Sequence, residues 1–168
     1  MEENRTEVIC GPGRGKTSLA IGESLKASAR GRSVIIIQFL KGSDRGELDF
    51  LEKLEDMDIK VFRFEKQESS FNELSEQEQL DEKTNILNGV NFARKVIVTR
   101  ECDFLVLDEI LGLIEMGIVS REIITELLSL RDESMHIVLT GRRMPEWLTE
   151  CADTVTTVTT TDLNEYRR

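Results

Sequence analysis

Histidine occurs once, tryptophan once, tyrosine once and proline twice in this sequence. The three cysteines, Cys10, Cys102 and Cys151, form no Cys-x-x-Cys pair. With so few sulfur and imidazole ligands, neither a disulfide framework nor a zinc site is expected. The cysteines read instead as buried free thiols in a reducing compartment, and His136 reads as a structural residue. Two prolines leave no Pro-rich linker. The apolar runs reach only about five residues, far short of the ~20 that span a bilayer. The segment Met1-Glu2-Glu3-Asn4-Arg5 is polar and acidic, unlike a signal peptide. A cytoplasmic protein is therefore expected. Basic residues are also in deficit, 22 Lys and Arg against 32 Asp and Glu, for a net charge of −10. Such a surface repels nucleic-acid backbones and anionic lipid, so neither nucleic acid nor membrane is an expected partner. A local basic pocket can still hold a small anion.

What is present is the composition of one globular domain, residues 1–168, with 39% hydrophobic and 32% charged residues. Residues 6–10 (TEVIC) are a short apolar strand running into glycines. Residues 15–29 follow with helical periodicity through Leu19, Ile21, Leu25 and Ala29, and Gly31 is placed to stop the helix. Residues 33–39 (SVIIIQF) lack alternation, as a strand covered on both faces does. Lys41-Gly42-Ser43-Asp44 breaks that run. Leu48, Leu51 and Leu54 suggest a helix stripe, and 59–64 a third strand. Ser75-Glu76-Gln77-Glu78 is a capping box opening a long helix with Leu80, Leu87, Val90, Ala93 and Ile97. Strands at 104–107, 135–139 and 152–158 flank a further helix with Ile123, Leu127 and Leu130. The Glu-rich stretch 65–82 is read as an exposed loop and helix start, or as a loop over the site. Strands alternating with helices predict an α/β fold, mainly parallel, with helices on both faces of the sheet.

Two segments carry chemistry. Gly11-Pro12-Gly13-Arg14-Gly15-Lys16-Thr17 lies between a predicted strand and a predicted helix, the context that makes a phosphate-binding loop credible. Glycines let successive N–H groups converge on phosphate oxygens, and the helix start adds its positive end. Lys16 supplies a mobile charge, and the Thr17 hydroxyl can ligate Mg²⁺. The loop is a variant, because Cys10 stands where G-x-x-x-x-G-K-[ST] has its first glycine. The second segment, Phe104-Leu105-Val106-Leu107-Asp108-Glu109, ends an apolar strand in two acids. Carboxylates at that edge of an open α/β sheet lie where ligands bind, and one can hold Mg²⁺. The two together predict a nucleoside triphosphate site with Mg²⁺ without naming the reaction.

The loop, followed by Gln38-Phe39-Leu40-Lys41-Gly42, resembles the ATP:corrinoid adenosyltransferase family, with its GxGxGK[ST] loop and QF-[LI]-KG strand end. Gly46-Glu47, Leu107-Asp108-Glu109-Ile110, Leu139-Thr140-Gly141-Arg142 and Ala152-Asp153 match later family elements in order. Phe71 with Leu74-Ser75-Glu76 is similar to a segment of some members. The resemblance spans about residues 7–158. It implies a RecA-like P-loop architecture and a homodimer. It also implies transfer of the 5′-deoxyadenosyl group of ATP to the cobalt of a reduced corrinoid, with triphosphate released and ATP reversed relative to ordinary P-loop NTPases. Reduced cobalt is itself the nucleophile, so no Ser-His-Asp set is needed. Charge neutralisation, alignment and water exclusion are. An electron-donor flavoprotein is the implied reducing partner.

By the same resemblance, backbone N–H groups of Gly11, Gly13, Arg14, Gly15 and Lys16, with Pro12, Thr17 and Ser18 beside them, would cradle the triphosphate. Lys16 would neutralise it. Thr17 and Glu109 would hold Mg²⁺, with Asp108 behind them. Lys26 occupies a position where some members carry an arginine near the adenosine, and Arg142 would approach the phosphates. Phe71 is open between packing on the corrin ring, or displacing its lower ligand, and anchoring a loop. The match departs after Asp153. The segment 155–161 reads Val-Thr-Thr-Val-Thr-Thr-Thr where the family carries a Lys-His pair. Two other readings stay open here: a P-loop NTPase hydrolysing ATP for a partner protein, and a non-catalytic ATP- or corrinoid-binding homologue.

Overall fold

The computed structural model of the protein describes residues 5–40, 46, 48–64 and 71–167. Six strands alternate with helices: β1 (Thr6–Cys10), α1 (Lys16–Ala29), β2 (Val34–Gln38), β3 (Ile59–Arg63), α2 (Glu76–Thr99), β4 (Phe104–Asp108), α3 (Ile110–Glu115), α4 (Arg121–Ser129), β5 (His136–Thr140) and β6 (Thr154–Thr157). The strands form one sheet in the order β3-β2-β4-β5-β1-β6, and every pairing is parallel. The α/β architecture expected from the pattern is the one observed.

Burial explains the strand sequences. β2, β4 and β5 are buried at every position, which is why they read as continuous apolar runs. The edge strand β6 alternates between half-buried and exposed. On one face, Ile9, Ile36, Val106 and Val138 pack with Ala20, Ile21 and Ala27 of α1 and with Leu48 and Leu51. On the other, Val8, Ile37, Leu105, Leu107 and Leu139 pack with residues of α2, α3 and α4, among them Ile86, Leu111 and Leu127.

Local signals are met where the chemistry is local. The Ser75 side chain accepts from the Glu78 N–H while Glu78 reaches back to Ser75, completing the capping box of α2. Gly31 has φ 80° just after α1, the left-handed stop expected of it. The leucine stripe is a correction. Leu51–Lys53 forms only a 3₁₀ turn, with Leu48 and Leu51 buried. A spacing of three residues matches the threefold repeat of a 3₁₀ helix rather than the 3.6 of an α-helix. The helix α3, directly after the Asp108-Glu109 pair, is an element the periodicity did not predict. The break at 41–44, Glu47 and the first part of the Glu-rich stretch (65–70) lie outside the described residues.

His136 starts β5 as a structural residue. Its ring stacks on Phe104, with centroids 4.8 Å apart and 9° between planes. Its Nε2 lies 3.4 Å from Glu7 Oε2. The neighbouring His136 imidazole is the main reason the Glu7 carboxyl is held below the usual carboxylate range.

All three cysteines are unpaired; Cys10 and Cys102 are buried and Cys151 is half-buried. Burial pushes the Cys102 thiol up to about 12, so it is protonated at neutral pH and unreactive. In the native protein at pH 8, a thiol reagent is expected to modify Cys151 promptly and to reach Cys10 and Cys102 only after denaturation. Prompt labelling of all three would contradict the core as described.

Candidate functional site

The carboxyl ends of β1, β2, β4 and β5 converge on one buried carboxylate. Asp108, the last residue of β4, is 1% exposed. The Thr17 hydroxyl, in the first turn of α1, donates to its Oδ1 at 3.1 Å. The Thr140 hydroxyl, at the end of β5, donates to the same oxygen at 2.7 Å. The Gln38 side-chain amide, at the end of β2, donates to Oδ2 at 3.2 Å. Strand register makes this possible, because Gln38 pairs directly with Asp108 across the β2–β4 ladder. A carboxylate is an acceptor only, and buried acceptors need donors. Here three side chains from three separate elements supply them. Arg63 extends the chain, its Nε donating to Gln38 Oε1 at 3.4 Å and its Nη2 pairing with Asp49 at 2.6 Å.

Glu109 stands one residue on. It is half-buried and adopts the left-handed conformation (φ 66°) as the residue before α3. Its N–H donates to Thr140 Oγ1 at 2.9 Å. Leu40, just beyond β2, is also left-handed (φ 49°). Two neighbouring strands thus both end in a non-glycine residue with positive φ, a costly conformation that concentrates at functional edges. The acid hydrogen-bonded to Thr17 is Asp108. Glu109 follows it directly at the same sheet edge.

The phosphate loop lies where expected, between β1 and α1, but its donors are disposed differently. Gly11 N–H donates to the Arg142 carbonyl at 2.9 Å and Gly13 N–H to the Val158 carbonyl at 2.9 Å. Arg14 N–H donates to Thr160 Oγ1 at 2.9 Å. Pro12 has no N–H to offer. The N–H groups of Gly15, Lys16, Thr17 and Ser18 precede the first intrahelical bond of α1 (Leu19 N–H to Gly15 O). Lys16 Nζ folds back onto the Gly13 carbonyl at 2.7 Å.

The glycines of the loop have a second reason to be there. A Cβ on Gly11 would lie 2.3 Å from the Val158 oxygen, and one on Gly13 2.7–2.8 Å from the backbone of Thr159 and Thr160. The chain after β6 passes so close that no side chain fits. This packing accounts for the displaced first glycine: the tight approach is at position 11.

The remaining expected residues are divided. The Arg142 side chain is exposed, and its backbone touches the loop through Gly11. Lys26 stands apart from the loop. It lies ten residues and about 15 Å along α1 from Lys16 at 1.5 Å per residue. It lines a cavity of about 320 Å³ with Arg5, Arg30 and His136, at the amino ends of the strands. That is the pole of the sheet opposite the loop. Phe71 is half-buried in a 3₁₀ turn (Phe71–Glu73) and packs against the cluster under α2. Its carbonyl accepts from Gln79 Nε2 at 3.2 Å. In the sequence, Gln38 and Thr140 stand out only as parts of longer motifs. Their position as the last residues of buried strands beside an acid is the signal that could have marked them.

The site also fits Mg²⁺. A hydroxyl and a carboxylate at hydrogen-bond distance form a hard oxygen pair. Among the described residues no cluster of three acids, cysteines or histidines could form a closed cage.

Residues 2–163 match the model of the family described as ATP:corrinoid adenosyltransferase BtuR/CobO/CobP. The chain is 27% identical over 150 residues to the corrinoid adenosyltransferase of Escherichia coli (strain K12), covering 88% of this chain and 72% of that protein. It is 28% identical over 156 residues to that of Pseudomonas aeruginosa, covering 89% and 71%. Among solved structures, the KaiC-like protein PH0186 of Pyrococcus horikoshii OT3 superimposes with a TM-score of 0.62 at 19% identity, over 92% of this chain and 71% of that one. That likeness concerns the fold alone.

Thr140→Val removes a donor from Asp108 and an acceptor from the Glu109 N–H without changing volume. It is expected to cost about 2 kcal/mol in urea unfolding, as for buried groups left without partners. Thr140→Ser should restore most of it. An unchanged midpoint in the valine variant would refute the carboxylate-centred arrangement.

Proposed function

The chain belongs to the ATP:corrinoid adenosyltransferase family, and from that premise we propose that Lys16, Thr17, Asp108 and the start of α1 seat the ATP triphosphate during adenosyl transfer. The reaction of the family moves the 5′-deoxyadenosyl group of ATP to the cobalt of a reduced corrinoid. A carbon–cobalt bond forms as the C5′–O bond breaks. The electron pair of the broken bond leaves with triphosphate, and Co(I) becomes formally Co(III).

The observation that carries this assignment is the Thr17–Asp108 hydrogen bond at the head of α1. The substrate brings the nucleophile, so the chain's task is to stabilise a leaving group of high negative charge. The first N–H groups of α1 and its positive end face that charge. Lys16 leaves the Gly13 carbonyl to meet the phosphates, exchanging a neutral acceptor for an anionic one. Mg²⁺, held by Thr17 and Asp108 with Glu109 beside them, would neutralise phosphate charge. Gln38 and Thr140 keep the Asp108 carboxylate oriented.

The working unit we propose is a homodimer in the cytoplasm, with an electron-donor flavoprotein reducing the corrinoid. Family resemblance supports the dimer and the reductant, and the unpaired cysteines suit a reducing compartment. No helix among the described residues is long and apolar enough to cross a membrane. The contacts of Phe71 support its anchoring role.

The test is to mix the protein anaerobically with Mg-ATP and chemically reduced cob(I)alamin, following the visible spectrum and the phosphate product. A light-sensitive adenosylcorrinoid with one triphosphate per turnover is expected, and Lys16→Ala should lower kcat/KM by about 10²-fold or more, as for removal of a group that stabilises transition-state charge. ADP and phosphate with no change at cobalt would overturn the assignment.

A further inference from the structure

The chain does not stop interacting with the phosphate loop at the end of β6. Val158 N–H donates to the Cys10 carbonyl at 2.8 Å, extending the β6–β1 ladder, and its own carbonyl then accepts from Gly13 N–H at 2.9 Å. Two residues on, Thr160 Oγ1 accepts from Arg14 N–H at 2.9 Å. Two oxygens of the chain thus sit on two adjacent loop N–H groups. The glycine clearances show that the segment lies directly across the loop.

Such oxygens imitate what a phosphate offers, and they are weaker acceptors. A carbonyl and a hydroxyl are neutral, whereas hydrogen bonds to an ionised acceptor are roughly twice as strong. Val158 is half-buried against the core, whereas Thr159, Thr160 and Thr161 are exposed, so the threonine end has little burial to lose on release. Gly13 and Arg14 also occupy the middle of the loop that the family signature assigns to phosphate binding. We propose that residues 158–160 form an internal strap that occupies the loop between turnovers, with Thr160 as its displaceable end. The triphosphate of ATP displaces Thr160 from Arg14 N–H, and the strap's return competes with the triphosphate product for the same donor. The inference rests on the assignment of this loop to the triphosphate.

The competition has a sign that a purely structural role does not share. Removing the Thr160 oxygen eliminates a competitor, so ligand affinity rises. Thr160→Val, which keeps shape and loses the acceptor, is expected to tighten Mg-ATP about fivefold in equilibrium dialysis, the size of one neutral hydrogen bond. Inorganic triphosphate should become a stronger inhibitor by about the same factor. Thr160→Ser should bind as the unaltered protein does. In the nucleotide-free protein, amide hydrogen exchange at Arg14 should be slowed in the parent and released in the valine variant, a readout independent of activity. Weaker or unchanged Mg-ATP binding in Thr160→Val would overturn the strap while leaving the loop's assignment standing. Failure of the parent protein itself to bind Mg-ATP would overturn both.

Discussion

The Asp108 carboxylate is the point on which the rest of the site depends. It is buried at the end of β4 and takes hydrogen bonds from Thr17, Gln38 and Thr140. A buried carboxylate without partners costs several kcal/mol, and each hydrogen bond to an ionised group contributes roughly 1.5–3 kcal/mol. The three donors therefore do more than decorate the acid: they make its burial tolerable. Because they come from α1, β2 and β5, the same bonds fix the phosphate-loop helix against three strands of the sheet. The hydroxyl that can meet a metal and the acid that can share it are held in place before any nucleotide arrives. This is preorganisation in the sense that matters for a reaction whose nucleophile is supplied by the substrate.

Around that carboxylate, the loop shows how a nucleotide site can be kept in shape by the chain itself. Gly11 and Gly13 lie under the segment that follows β6, with clearances too small for a side chain. Glycine in this loop thus serves close backbone packing as well as phosphate approach. Lys16 and the N–H groups of Gly13 and Arg14 all have acceptors within the protein. For these three donors, substrate binding would be an exchange of neutral acceptors for charged ones.

Much of this was legible in the sequence because the signals are local or periodic. The Ser75–Glu78 box, the Gly31 stop and the unbroken apolar runs of β2, β4 and β5 each specify a short-range structure, and each is present. The phosphate loop and the Asp108-Glu109 strand end could be placed at one sheet edge because parallel topology brings strand ends together. What could not be read depends on register and approach. Gln38 reaches Asp108 because β2 pairs with β4 in a particular alignment. Thr140 reaches it because β5 adjoins β4. Lys26 was assigned from a motif position, and the length of α1 carries it to the opposite pole. The contact of Thr160 with Arg14 joins residues 146 positions apart, and nothing in a threonine-rich tail announces it.

The most direct measurement is a double-mutant cycle on Mg-ATP affinity with Thr17→Val, Asp108→Asn and the pair. If the hydroxyl and the carboxylate form one metal-and-phosphate seat, each single change weakens binding about tenfold or more, and the double variant is little worse than the weaker single one. The coupling would then be about 1 kcal/mol or more, as for residues that act through a shared contact. Strictly additive losses would contradict the account, because they would mean that Thr17 and Asp108 serve the nucleotide independently.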